Sequence, residues 1–175
     1  MRGVPTLRSS GGKWGKGAEE GSHGGGKVLR GLSALALDSK GRVAIPARHR
    51  DYLRELCGGH LVVTVDLDRC LLVYPRPEWL EVEKRLVSLS STDRAARRLK
   101  RLLVGYAEEC QMDGQGRILV SQPLRAFAGL DKRLVLVGQG NKFELWDEDR
   151  WNALSEELLA DVGDGGLPAG LDISF

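Results

Sequence analysis

Apolar positions along this chain change their spacing several times, and the changes outline its parts. LSALAL (32–37) alternates with a period of two, and RVAIP (42–46) follows it after a DSKG turn, so the pair reads as a hairpin. ARHRDYLREL (47–56) switches to helical spacing at Tyr52, Leu53 and Leu56, and Gly58-Gly59 ends that helix. LVVTVD (61–66) and CLLVYP (70–75), on either side of Leu67-Asp68-Arg69, predict a second hairpin. PEWLEVEKRLVSL (77–89) predicts a helix, with Pro77 in the first turn where its missing N–H costs nothing. DRAARRLKRLLVGYA (93–107) predicts another, capped by Thr92 or Asp93.

The order then repeats. AEECQM (107–112), a DGQG turn, RILVS (117–121), a short helix QPLRAFAGL (122–130), LVLVGQ (134–139), KFELWD (142–147) and a helix EDRWNALSEELLA (148–160) follow in turn. Arg50 matches Arg125, Tyr52 matches Phe127, Tyr74 matches Trp146 and Trp79 matches Trp151. The chain therefore carries an internal repeat of a β-β-α-β-β-α unit. Four short strands leave open edges, so the two copies are expected to fold onto each other into one small barrel. The expected class is mainly β with flanking helices (α+β). The expected divisions are a half-unit at 32–79, connecting helices at 80–106, a second half-unit at 107–154 and a flexible tail at 161–175.

The first 27 residues have no periodicity and are rich in Gly and Ser, a composition that cannot bury enough apolar surface to order itself. Residues 1–31 carry six Lys/Arg and two Glu, so the overall charge of +2 leaves about −2 on the rest. Net charge thus gives no support to nucleic-acid binding by the folded part, and any such site must be local. Three widely spaced cysteines, Cys57, Cys70 and Cys110, suit reduced thiols in a cytoplasm better than a disulfide framework. No apolar run approaches the length of a membrane span.

The most informative local feature is written twice: DSKGR at 38–42 and DGQGR at 113–117. In each, the Asp carboxylate can accept from the following backbone N–H groups, and Gly41 or Gly116 supplies a positive φ. Arg42 or Arg117 then falls four positions after the Asp. An ion pair to that Asp would fix the arginine rotamer while leaving guanidinium donors for a phosphate or a guanine edge. The alternative is that each Asp–Arg pair simply pins its turn. From 38 to 54 the balance is +3, against +1 from 113 to 125, so the first copy, with Lys40, is the better anion site. The basic helix with Arg94, Arg97, Arg98, Lys100 and Arg101 is a second nucleic-acid candidate. Leu99, Leu102 and Leu103 fill its other face, and this pattern favours an ordinary solvated surface for the basic residues.

Other chemistries find no support. Cys57-Gly-Gly-His60, with Cys70 downstream, lacks a fourth zinc partner. Gly138-Gln-Gly-Asn141 is followed by a strand, not by a helix that could hold phosphate. His23, His49 and His60 have no nucleophile or paired carboxylate beside them. No catalytic residue, metal, cofactor or small-molecule substrate is expected.

These residues carry a resemblance. LDSKGRVAIPARHRDYL, CLLVYPRPEW, STDRAARR, GYAEECQMDGQGRILV and LVLVGQGNKFELWDEDRW, in unbroken order from about Val28 to Leu159, resemble the MraZ family of bacterial transcriptional regulators. The resemblance implies tandem AbrB-like swapped-hairpin half-units in one barrel. It also implies a ring homo-oligomer in the nucleoid that binds short direct repeats of double-stranded DNA ahead of its own operon, the division and cell-wall gene cluster. It places Asp38 and Arg42, and Asp113 and Arg117, in DNA binding. Val120-Ser121 stands where the family usually continues Ile-Pro, as Ile45-Pro46 does here, which leaves the presentation of the second turn open. A ring-shaped protein-interaction scaffold with weak DNA binding is the rival function. The family commonly opens with Met-Phe-Arg-Gly, and this chain has Val28-Leu29-Arg30-Gly31 after Gly-Gly-Gly-Lys. GTG encodes valine and also starts bacterial genes, and the preceding codons form a purine-rich run suited to a ribosome-binding site. The reading therefore expects translation to start at residue 28.

Overall fold

The computed structural model describes residues 28–163, so the expectations for residues 1–27 and for 164–175 lie outside the described residues. In the first copy, β1 (Leu32–Ala36), β2 (Arg42–Ala44), α1 (Ala47–Cys57), β3 (His60–Val65) and β4 (Leu71–Pro75) are followed by α2 (Arg76–Ser88). After α3 (Arg94–Leu103), the second copy supplies β5 (Glu108–Gln111), β6 (Arg117–Leu119), α4 (Gln122–Ala128), β7 (Arg133–Gly138), β8 (Phe143–Asp147) and α5 (Glu148–Gly163). Asp93 caps α3, its carboxylate accepting from Ala95 N at 2.8 Å, which stabilises a helix start by about 1 kcal/mol. That helix ends at Leu103, short of the 107 expected. The buried Thr64 hydroxyl takes up one of its last carbonyls, Leu103 O, at 2.6 Å.

Two of the expected hairpins form, and two do not. β3 pairs with β4, and β7 with β8, across their own turns. β1 instead pairs with β7, and β5 with β3. β2 and β6 leave their expected partners too, and pair only with each other. The periodicity identified the strands correctly but not their partners. A strand's alternation records which face is buried, and it is silent about which neighbour supplies the hydrogen bonds.

The result is a six-stranded antiparallel sheet in the order β1-β7-β8-β4-β3-β5, with β2-β6 as a separate two-stranded ribbon. Each outer strand belongs to one copy and hydrogen-bonds to the other, so the halves are interlocked. The register shows a local two-fold axis: Val43 faces Ile118, its own counterpart in the repeat, and Leu72 faces Glu144 in the same way. The ladder does not run unbroken around a barrel. The ribbon lies across the sheet and is tied to it through the two turns.

The two layers enclose a core of Val43, Ile45, Leu53, Ile118, Val120 and Leu124 against Leu61, Val63, Leu134, Leu136 and Phe143. Val43 and Ile118 are fully buried, each contributing roughly 1.5–3 kcal/mol by leaving water. The opposite sheet face carries a second cluster under α2 and α5, in which the repeat appears as two aromatic pairs. Tyr74 and Trp79 have ring centroids 5.7 Å apart, and Trp146 and Trp151 are 6.0 Å apart.

Candidate nucleic-acid interface

The two Asp-x-x-Gly-Arg turns have almost the same hydrogen bonds. Asp38 Oδ1 accepts from Lys40 N and Arg42 N, both at 2.9 Å, and Oδ2 accepts from Arg42 Nε at 2.8 Å. Asp113 Oδ1 accepts from Gln115 N and Arg117 N at 2.9 Å, and Oδ2 from Arg117 Nε at 2.8 Å. Gly41 N donates to Asp38 O at 3.0 Å and Gly116 N to Asp113 O at 2.9 Å. Bonds from the backbone N–H groups of Arg42 and Arg117 are the largest influence holding the two carboxyls below their usual range, with Asp113 at about 2. Both Asp side chains are therefore ionised acceptors that lock their arginines. The Arg42 ion pair closes through Nε at 2.8 Å, and Arg117 also brings Nη2 to 2.8 Å from Asp113 Oδ2.

The ribbon decides where those arginines point. Arg42 faces Leu119 and Ala44 faces Arg117, so these four residues share the outer face while Val43 and Ile118 face the core. Strand spacing puts the two arginine Cα atoms roughly 8 Å apart on a diagonal of that face. A two-stranded ribbon is one of the two elements that fit the major groove of B-DNA. Leu119, 56% exposed on the same face, is an apolar group of the kind that meets a thymine methyl. Sequence reasoning missed it, because three apolar residues in a row, Ile118, Leu119 and Val120, gave no alternation to single it out.

Each turn is braced from behind by the other copy. Gly41 and Gly116 have φ of +80° and +79°, and a Cβ at Gly116 would overlap the Arg50 guanidinium. A Cβ at Gly41 would lie 3.1 Å from Arg125 Cζ. Ile45 N donates to Gly116 O at 2.8 Å, and Val120 N donates to Gly41 O at 2.9 Å. Arg50 Nε donates to Ile45 O at 2.7 Å, while Arg125 Nε is buried without a hydrogen-bond partner among the described residues. The Val120-Ser121 departure thus coincides with a difference in the brace, while the hydrogen bonds of the second Asp match those of the first. The repeat matched Arg50 with Arg125, but nothing in sequence could reveal that they cross over.

The remaining candidates fall elsewhere. Arg97 Nη1 donates to Ser91 O and Thr92 O at 2.8 and 2.9 Å, and Lys100 Nζ to Val87 O and Leu89 O at 3.1 and 2.7 Å. Two of the five basic residues of α3 therefore satisfy carbonyls at the end of α2 and its loop. His49 is buried edge-on to Phe143, with centroids 5.0 Å apart, and burial is the main influence lowering its pKa. Cys57 Sγ donates to Leu53 O at 3.1 Å, and Cys70 is fully buried in the second cluster.

This geometry defines a class: a duplicated, interlocked β protein that presents two preset arginines on one ribbon. Comparison with known proteins agrees. The family model described as MraZ protein matches residues 28–102 and again 103–162. Similar proteins carry the name transcriptional regulator MraZ, among them the following three. That of Tolumonas auensis is 60% identical over 76% of this chain and 89% of its own length. That of Thioalkalivibrio sulfidiphilus is 58% identical over 81% of this chain and 95% of its own. That of Pseudomonas aeruginosa is 52% identical over 81% and 95%. The chain belongs to the MraZ family, which is a family of transcriptional regulators and not of enzymes.

Proposed function

We propose that this protein is a transcriptional regulator that binds double-stranded DNA through the outer face of the β2-β6 ribbon. The observation that carries the reading is the matched pair of turns, in which Asp38 and Asp113 preset Arg42 and Arg117 side by side. Arg42 and Arg117 read base edges, Lys40 neutralises phosphate, and Gly41 and Gly116 give the turns their shape. One protomer offers few cations on a nearly neutral body, so tight binding comes from repetition. A ring of copies engages successive direct repeats, and contacts that are weak singly multiply through effective concentration. The target is the promoter region of its own operon, the division and cell-wall cluster, which places the protein on the nucleoid in the cytoplasm. Among the described residues no helix is long and apolar enough to cross a membrane.

Fluorescence anisotropy on upstream DNA and on scrambled DNA, across a salt series, tests the reading. We expect preference for the native repeats and affinity that falls steeply with salt. Arg42→Ala should cost about 1–3 kcal/mol for each engaged base contact, with the melting temperature nearly unchanged. Equal weak binding to both DNAs would favour the scaffold reading instead. A large drop in melting temperature in Arg42→Ala would return the arginine to pinning its turn.

A further inference from the structure

The last turns of α5 leave the body of the protein. Trp151 and Leu154 pack on the second cluster, but every residue from Glu156 to Asp161 is exposed, Leu158 at 47% and Leu159 at 76%. Glu156, Glu157 and Asp161 make no ion pair among the described residues. An isolated helical end that exposes two leucines gains little from its own hydrogen bonds, since most helix stability in proteins comes from packing.

The outer side of α2 and α3 has the opposite chemistry. Arg94, Arg98 and Arg101 are spaced i, i+4, i+7 on one stripe of α3, all exposed and unpaired among the described residues. Beside them α2 and its end expose Leu80, Val87 and Leu89, Val87 at 60%. On α2, Lys84 and Arg85 are offset by Glu81 and Glu83, so the positive charge of this surface comes from α3. Arg97 and Lys100, which fasten α3 to the end of α2, make this a single surface.

We infer that the free end of α5 docks on the α2-α3 face of a second copy of this chain, its leucines against Leu80, Val87 and Leu89 and its carboxylates against the arginine stripe. Charge complementarity selects the occupant, because both signs and both apolar patches belong to one chain. The two faces are different surfaces of the protomer, so the contact is heterologous: each copy gives α5 to one neighbour and receives α5 from another. Such a contact builds a ring or an open filament, not a two-fold dimer. The inference rests on the self-assembly part of the reading above and is independent of the DNA-reading turns.

Light scattering after gel filtration of the full chain tests it, with two triple variants, R94E/R98E/R101E and E156R/E157R/D161R. The wild type should elute at a multiple of its 19.2 kDa mass. Each variant alone has like charges on both faces and should elute near the monomer. An equimolar mixture should assemble again with the variants alternating, because the reversed α3 of one meets the reversed α5 of the other, and the two unreversed faces meet in the same way. Circular dichroism monitors folding, and Leu159→Asp, a single change at a site free of the protein body, should weaken assembly as well. A monomeric wild type would overturn both the self-assembly and these faces. Assembly that survives either triple reversal, or folded variants that fail to combine on mixing, would overturn the faces alone.

Discussion

Gly116→Ala offers a sharp check on how the turns are built. The residue has φ of +79°, a region where a side chain costs roughly 1–2 kcal/mol relative to glycine. The new methyl would also overlap the Arg50 guanidinium. Arg50 is flexible and can move, but moving breaks its 2.7 Å bond to Ile45 O, a loss of about 0.5–1.5 kcal/mol. The sum is about 2–3 kcal/mol, or roughly 5–10 °C in melting temperature for a domain of this size. Gly114→Ala is the internal control. It lies two residues away, with no heavy atom within 4 Å of an added Cβ and no positive φ, so its melting temperature should stay within about 1 °C. Differential scanning calorimetry at one fixed protein concentration removes the effect of assembly. A Gly116→Ala protein that melts with the wild type would refute both the φ requirement and the brace from Arg50.

Three further outcomes follow from the same contacts. The Asp38 and Asp113 carboxyls titrate lower in the folded chain, so their contribution is complete above the ordinary pKa near ~4 and is lost as pH falls through the lowered folded values, about 2 for Asp113. Melting temperature against pH should therefore drop over that window, and Asp113→Asn should flatten the drop. Thr64→Val should cost about 1 kcal/mol by leaving Leu103 O without its 2.6 Å donor, read from urea unfolding. Burial pushes the Cys110 thiol up to about 12 and raises Cys70 as well. Both should react slowly with a disulfide reagent at pH 8 and rapidly in denaturant.

The elements were more legible than their connections. Period and turn chemistry marked every strand and helix within a few residues, because each records a buried face. Pairing was legible only for the β3-β4 and β7-β8 hairpins, since β1 finds its partner about a hundred residues away in β7 and carries no local sign of it. The turns were legible down to the Asp–Arg bond, a contact between residues four apart. Their setting was not: the shared outer face of Arg42, Arg117 and Leu119 exists only once β2 meets β6. Likewise the exposed stripe of α3 could be read from its helical spacing, but not the opposite charge waiting on α5.

The local two-fold axis through Val43 and Ile118 has an evolutionary consequence. Two identical chains related by such an axis would be bound to carry identical turns, and any mutation would appear twice. Joining both halves in one polypeptide lifts that obligation. The first turn here keeps Ser39-Lys40 where the second has Gly114-Gln115, on matching backbones. One half can thus drift in chemistry while the other holds the old contact, and the molecule acquires a front and a back that an exact dimer could never have.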